Sequence, residues 1–180
     1  MLNRSGTGDV EVRDCAPEDI AAITAIYRQA VLEGSATFEL EPPDEATMES
    51  RRAALAASGH PYVVAIAAGG LVGYAYAGPY RPRPAYGATV ESSVYVRPDR
   101  HRRGTGFALM QRLIAQAGAA GFRQMVAVIG DSANLASIKL HERLGFRHVG
   151  TLKSVGWKHG RWLDTVLMQR ALGAGDAAPR

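Results

Sequence analysis

Apolar positions along this chain follow two alternating rhythms, one of two residues and one of about three and a half. Val10, Val12 and Cys15 mark a first strand. Pro17 then sits in the first turn of a helix whose Ile20, Ile23, Tyr27 and Val31 fall on one face. Ala16 is a weak cap for that helix, because alanine offers no side-chain oxygen. A loop over 34–43 carries Phe38 and leads into a second helix that ends near Ser58. Two fully apolar runs, 62–67 and 71–77, surround Gly69-Gly70, which is a hairpin signal. Lacking polar alternates, they predict a sheet covered on both faces. Beyond the proline-broken stretch Tyr80-Arg-Pro-Arg-Pro-Ala-Tyr86, a strand over 88–96 enters a basic, glycine-punctuated turn. The helix from about Gly104 to Ala120 keeps Met110, Leu113, Ile114 and Ala117 together. A short buried strand over 125–129 and a helix over 133–144, stopped by Gly145, come next. Two late strands, near 149–158 and 162–172, meet at His159-Gly160. Strands mixed with helices in this order predict a mixed sheet in an α/β arrangement. With no repeat and no linker, the chain reads as one domain over 9–172, and the small-residue ends 1–8 and 173–180 as disordered tails.

The basic turn carries the most chemistry. In Glu91-Ser-Ser-Val-Tyr-Val-Arg-Pro-Asp-Arg-His-Arg-Arg-Gly-Thr-Gly-Phe107, four arginines (97, 100, 102 and 103) crowd beside Gly104 and Gly106 at a helix start. Unpaired backbone N–H groups, the helix dipole and guanidinium groups then converge on one point, which suits phosphate. The glycines let phosphate oxygens approach the backbone. No Lys-Ser/Thr follows the last glycine, so this is not the triphosphate-binding loop, and the three-glycine dinucleotide fingerprint is also missing. A tight turn on a solvated basic surface is the competing reading.

Composition narrows the class without choosing the function. The chain has 180 residues, 47% hydrophobic and 21% charged, with a formal net charge of +4. That is one ordinary globular domain leaning towards anionic partners. The lone Cys15 excludes an internal disulfide and reads as a packed thiol; no paired Cys/His spacing predicts a metal. Without a secretory segment or a membrane-length apolar run, a cytoplasmic location is expected.

Strand, basic turn and helix resemble the acetyl-coenzyme A (acetyl-CoA) pyrophosphate site of the GNAT superfamily of N-acetyltransferases. A second matching block is Asn134-x-x-Ser137-x-x-x-His141-x-x-Leu144-Gly145-Phe146. Ala77-Gly-Pro-Tyr80, Thr89-Val-Glu-Ser-Ser-Val-Tyr-Val96, Val126-Ala-Val-Ile-Gly130 and Gly156-Trp-Lys-His-Gly-Arg-Trp162 narrow the likeness to the branch that acetylates phosphinothricin and methionine sulfoximine. The likeness implies a mostly antiparallel sheet of about seven strands, about four helices on its two faces, acetyl-CoA as co-substrate, and a homodimer. One departure is His101, where the superfamily usually carries Gln or Arg.

Acetyl transfer to an amine must remove a proton from the amine, stabilise an oxyanion and release a thiolate. Glu91, alone among uncharged neighbours, is the candidate general base. Backbone around Val94, Tyr95 and Val96 would serve the oxyanion. Arg102, Arg103, Gly104, Thr105, Gly106 and Phe107 would hold the diphosphate, and Asn134 and Ser137 the pantetheine arm. His141 shares their helical face and is the candidate for protonating or steadying the leaving thiolate. Phe38, Arg81, Arg83 and Tyr86 match positions around the acceptor, and an arginine fork suits carboxylate, phosphinate or sulfoximine oxygens. Each has a plainer reading as a structural or solvated residue. Trp157, Lys158, His159, Trp162 and Asp164 are read as structural, with a dimer seam as an option.

The expected activity is therefore N-acetylation of a small amino-acid-like amine, with herbicide resistance as a possible consequence. An aminoglycoside, a polyamine or a protein amine is the alternative acceptor, though Arg81 and Arg83 would repel cations. A non-catalytic acyl-CoA sensor would be expected to lack groups such as Glu91 and His141. A nucleic-acid module would be expected to interleave aromatics with its basic residues, which this turn does not.

Overall fold

A computed structural model describes residues 10–178. Seven strands, β1 (Glu11–Asp14), β2 (Tyr62–Ala67), β3 (Gly70–Pro79), β4 (Thr89–Val96), β5 (Gln124–Gly130), β6 (Arg147–Lys158) and β7 (Arg161–Ala171), form one sheet in the order β1-β2-β3-β4-β5-β7-β6. Four helices accompany them: α1 (Ile20–Glu33), α2 (Glu45–Ala57), α3 (Thr105–Ala119) and α4 (Leu135–Arg143). Neighbouring strands are antiparallel except β4 and β5, which run parallel. The mixed, mostly antiparallel sheet expected from the sequence is thus present.

Both faces of β2 and β3 are covered, as their unbroken apolarity requires. On one face Val63, Ala65, Ala75 and Val90 pack with Leu109, Met110, Leu113 and Ala117 of α3. On the other, Val64 and Tyr74 meet Ile20, Ile23, Tyr27 and Val31 of α1 and Met48 of α2. A fully buried side chain of this kind contributes about 1.5–3 kcal/mol.

The weak cap at Ala16 is made good from outside the helix. The chain enters α1 through a short 3-10 turn, Pro17–Asp19. The Asp19 carboxylate accepts the Ala16 N–H at 2.8 Å and is gripped by Arg13 at 2.7 Å. Cys15 is a half-buried thiol pushed up to about 12 by burial, which suits packing and not nucleophilic work. The expected tail 1–8 lies outside the described residues. Over 173–178 the chain makes turns, and the Ala178 carbonyl accepts from Arg123 at 2.7 Å. Among the described residues no helix is long and apolar enough to cross a membrane.

Candidate active site

β4 hands the chain to α3 through the basic turn. A 3-10 segment, Pro98–Arg100, opens it, and Arg97 donates to Asp99 at 3.0 and 3.1 Å. Arg100 is drawn back onto the Ala68 carbonyl at 2.9 Å. His101 Nε2 donates to the Val96 carbonyl at 2.9 Å, bracing the turn against the end of β4. Arg102 and Gly104 take the left-handed backbone, with φ of 59° and 83°. A Cβ on Gly104 would meet nothing within 4 Å, so the backbone angle, not crowding, calls for glycine. The first helical bond runs from the Ala108 N–H to the Gly104 carbonyl at 3.0 Å. Amides ahead of it have no partner inside the helix.

Pro98, Arg100, His101 and Arg102 of this turn line a cleft of about 550 Å³ between α1, β4, α3 and α4. Of the residues the sequence offered for the cofactor, Val94, Tyr95, Val96, Arg102, Gly104, Thr105, Gly106, Phe107, Asn134 and Ser137 border it. Arg103 is exposed and outside that lining. Sequence reasoning missed Lys139 and Arg143 as lining residues, while Arg100 belongs to the arginine cluster already read as an anion site. Arg143 lies with its guanidinium 4.8 Å above the Phe107 ring, and its place on the helical face of Ala136, Lys139 and Leu140 was the available signal.

The inner end of the cleft is made by strands that part. β4 and β5 pair from Thr89↔Gln124 to Ser92↔Ala127 and no further, while β4 stays paired to β3 as far as Val96↔Gly73. One edge of 93–96 therefore faces a gap that Val128, Ile129, Asn134, Ser137 and His141 also border. His141 is 3% exposed, and its Nδ1 lies 2.8 Å from the Ser137 carbonyl. A carbonyl only accepts, so Nδ1 carries the proton. Burial lowers the His141 pKa, leaving a neutral ring with a lone pair on Nε2. The Phe146 ring stands edge-on to it at 4.9 Å. Asn134 caps α4, its Oδ1 accepting the Ser137 N–H at 3.2 Å.

Glu91 points to the other face. Side chains alternate along β4, so Val90 joins the α3 side while Glu91 shares the α1 side with Tyr95. It pairs with Gly78 on β3, which leaves room beside it. Among the described residues Glu91 makes no hydrogen bond or ion pair. Burial raises its pKa and the charge of Arg81 pulls the other way. A half-buried, unpartnered carboxylate of raised pKa is a proton acceptor in waiting.

The Arg81 guanidinium rests 5.1 Å over the Tyr80 ring, which meets Tyr86 edge-on at 5.7 Å. Arg83 is exposed and precedes the 3-10 turn Pro84–Tyr86. Phe38 is seated elsewhere along the sheet, its ring against Gly130 and Gly156. The structure thus joins Arg81 and Tyr86 through Tyr80, within electrostatic reach of Glu91, and places Phe38 by the ends of β5 and β6.

The model of the Acetyltransferase (GNAT) family matches residues 23–146. This chain belongs to the GNAT acetyltransferases. It is 52% identical over 165 residues to a phosphinothricin N-acetyltransferase of Alcaligenes faecalis, covering 92% of this chain and 84% of that protein. It is 44% identical over 169 residues to an L-methionine sulfoximine/L-methionine sulfone acetyltransferase of Pseudomonas paraeruginosa, covering 93% and 98%. A crystal structure of a GNAT superfamily phosphinothricin acetyltransferase from Sinorhizobium meliloti with acetyl-CoA superposes with a TM-score of 0.92 at 47% identity, covering 94% of this chain and 92% of that one.

Proposed function

We propose that this GNAT enzyme moves the acetyl group of acetyl-CoA to the amino group of a small amino-acid-like acceptor, such as phosphinothricin or methionine sulfoximine. The observation that carries this reading is the pairing, across β4, of the cleft at the α3 start with the unpartnered carboxylate of Glu91. The residues present fit the co-substrate. Open amides over 102–107, the α3 dipole and the Arg102 side chain would hold its diphosphate, with Arg103 near the entrance. Asn134 and Ser137 would hold the pantetheine arm, and the free edge of 94–96 would face the acetyl oxygen. Bound acetyl-CoA supplies an acetyl group already activated as a thioester.

Glu91 takes the ammonium proton, directly or through a water, a role worth about 10²–10⁴-fold in rate. Arg81 and Arg83 receive the acidic groups of the acceptor, with Tyr86 and Phe38 as apolar walls. Neutral His141, with its Nε2 lone pair, starts as a proton acceptor. We therefore assign it the relay of the second amine proton, which it takes up as the tetrahedral intermediate collapses and passes to the departing thiolate. Positive charge at Arg81 and Arg83 disfavours cationic acceptors.

The same reading makes the enzyme a cytoplasmic homodimer. β6 is an edge of the sheet, and the exposed Val149, Leu152, Val155, Trp157 and Trp162 lie on β6 and β7. An apolar sheet edge of that kind invites a second copy. Sedimentation shows a dimer if this is right and a monomer if it is wrong.

The decisive test is thiol release from acetyl-CoA across phosphinothricin, methionine sulfoximine, methionine sulfone, common amino acids, a polyamine and an aminoglycoside. Release with the first three and not with the cations is the expected result. Tight CoA binding with no release anywhere would leave a sensor in place of an enzyme.

A further inference from the structure

Loop 34–44, between α1 and α2, carries Thr37 and Phe38, and several distant groups converge on it. Lys158, at the end of β6, is 4% exposed and sends its ammonium to the Thr37 carbonyl at 2.7 Å. Next along the turn, His159 Nε2 donates to the Gly34 carbonyl at 3.1 Å. Asp131, just past β5, hydrogen-bonds Ser35 and accepts from Arg161 at 2.5 Å. Phe38 occupies the space that a side chain on Gly156 would need, so glycine at that point of β6 is a seat for the ring. The loop is tied inward as well. Thr37 Oγ1 lies 3.0 Å from the Tyr27 hydroxyl, and the Tyr27 ring stands edge-on to Tyr95 at 5.1 Å. Tyr95 belongs to the stretch of β4 that has parted from β5.

A buried ammonium is expensive to keep and carries no part of the acetyl-transfer chemistry assigned above. Methionine would fill the same space without it. What the ammonium adds is one directed hydrogen bond to a buried carbonyl, across 121 positions of sequence.

We propose that Lys158 is a positioning residue for the acceptor: from the β6–β7 turn it fixes the Thr37 carbonyl, and through it sets where Thr37 and Phe38 stand on the acceptor side. This rests on the acceptor side assigned under the proposed function. Lys158 touches neither substrate; it acts through the loop.

The test is Lys158→Met, with Lys158→Arg as the conservative variant, using L-methionine sulfone as acceptor. In Lys158→Met, kcat/KM for the sulfone falls about tenfold to a hundredfold, because a misplaced wall spoils the approach of the amine. The Kd of CoA, read by calorimetry, changes by no more than about twofold, because Gly34 and Ala36 of the loop border the cofactor cleft but Lys158 holds Thr37. Lys158→Arg recovers part of the loss by donating again to the Thr37 carbonyl. Two milder variants secure the test if Lys158→Met does not fold. Gly156→Ala unseats the Phe38 ring and reproduces the acceptor defect. His159→Ala, at an exposed position, moves the acceptor constant in the same direction by about twofold. Equal loss of sulfone and CoA affinity, or wild-type kinetics in Lys158→Met and Gly156→Ala, overturns the proposal. Wild-type protein that binds CoA but acetylates no acceptor removes the functional reading, and this inference with it.

Discussion

The two sides of the site are made of different material. The proposed cofactor side is mainly backbone: amides of the turn into α3, left-handed Arg102 and Gly104, and the free edge of β4. The proposed acceptor side is mainly side chain: Glu91, Arg81, Arg83 and Tyr86, with Phe38 assigned to it from the loop before α2, drawn from three stretches of sequence. Backbone donors recognise a diphosphate in whatever protein they occur, whereas a side-chain wall can be repainted by substitution. Such a division lets one fold keep its acyl donor while acceptors change. It also predicts that substitutions on the two sides separate cleanly in kinetics.

The largest separation is expected at Glu91. Glu91→Gln lowers kcat by about 10²–10⁴-fold at neutral pH while the Kd of CoA holds. A second readout excludes a structural role. The Glu91 pKa is raised by burial, so in the folded state the charged form is the disfavoured one. Stability from this group is full below the unfolded carboxylate pKa and is lost as pH rises through the folded one. Glu91→Gln therefore raises Tm at neutral pH while activity collapses. A carboxylate kept for folding would show the opposite: lower Tm and intact turnover.

That contrast was partly visible before any coordinates. The diphosphate part of the proposed cofactor side is contiguous, with strand, arginines, glycines and helix start inside 91–107, so local pattern suffices to find it; Asn134 and Ser137 come from a separate segment. Glu91 was legible as a charge in an uncharged strand. The parting of β4 from β5 was not, because pairing ends at Ser92↔Ala127 through a register between distant segments. The entry to α1 hid for a similar reason: its cap is Asp19, three residues inside the expected start and held by Arg13 on β1. Lys158 read as structural because nothing local pairs it with Thr37. Phe38 was found by resemblance alone; its seat on Gly130 and Gly156 needs three dimensions.

The acceptor side divides further. Arg83→Ala removes one charge-assisted contact and raises the KM of phosphinothricin by about tenfold to a hundredfold, with the KM of acetyl-CoA unchanged. Equal shifts in both constants would move Arg83 out of the acceptor pocket. Arg81→Gln carries an extra signature, since Arg81 holds the Glu91 pKa down against burial. Activity needs ionised Glu91 and rises as pH climbs through its pKa. Without Arg81 that rise moves to higher pH, and in Arg83→Ala it keeps its place. A pH–rate profile of kcat/KM for the two variants decides whether Arg81 serves the base as well as the acceptor.

The smallest effect tests the cofactor side against a matched position elsewhere. Gly104 and Gly121 both take left-handed backbone, with φ of 83° and 88°, and a Cβ at either would meet nothing within 4 Å. Alanine at each adds the same kind of strain, on the order of 1 kcal/mol. For a chain of this size that is a fall in Tm of about 2–4 °C. The two should therefore lose similar stability. Only Gly104 borders the cleft, so only Gly104→Ala puts a methyl group where phosphate oxygens approach the backbone. Its Kd for CoA should rise about tenfold, while Gly121→Ala keeps wild-type affinity. If both variants lose CoA affinity alike, strain alone explains the loss and the amides of the turn are not what grips the diphosphate.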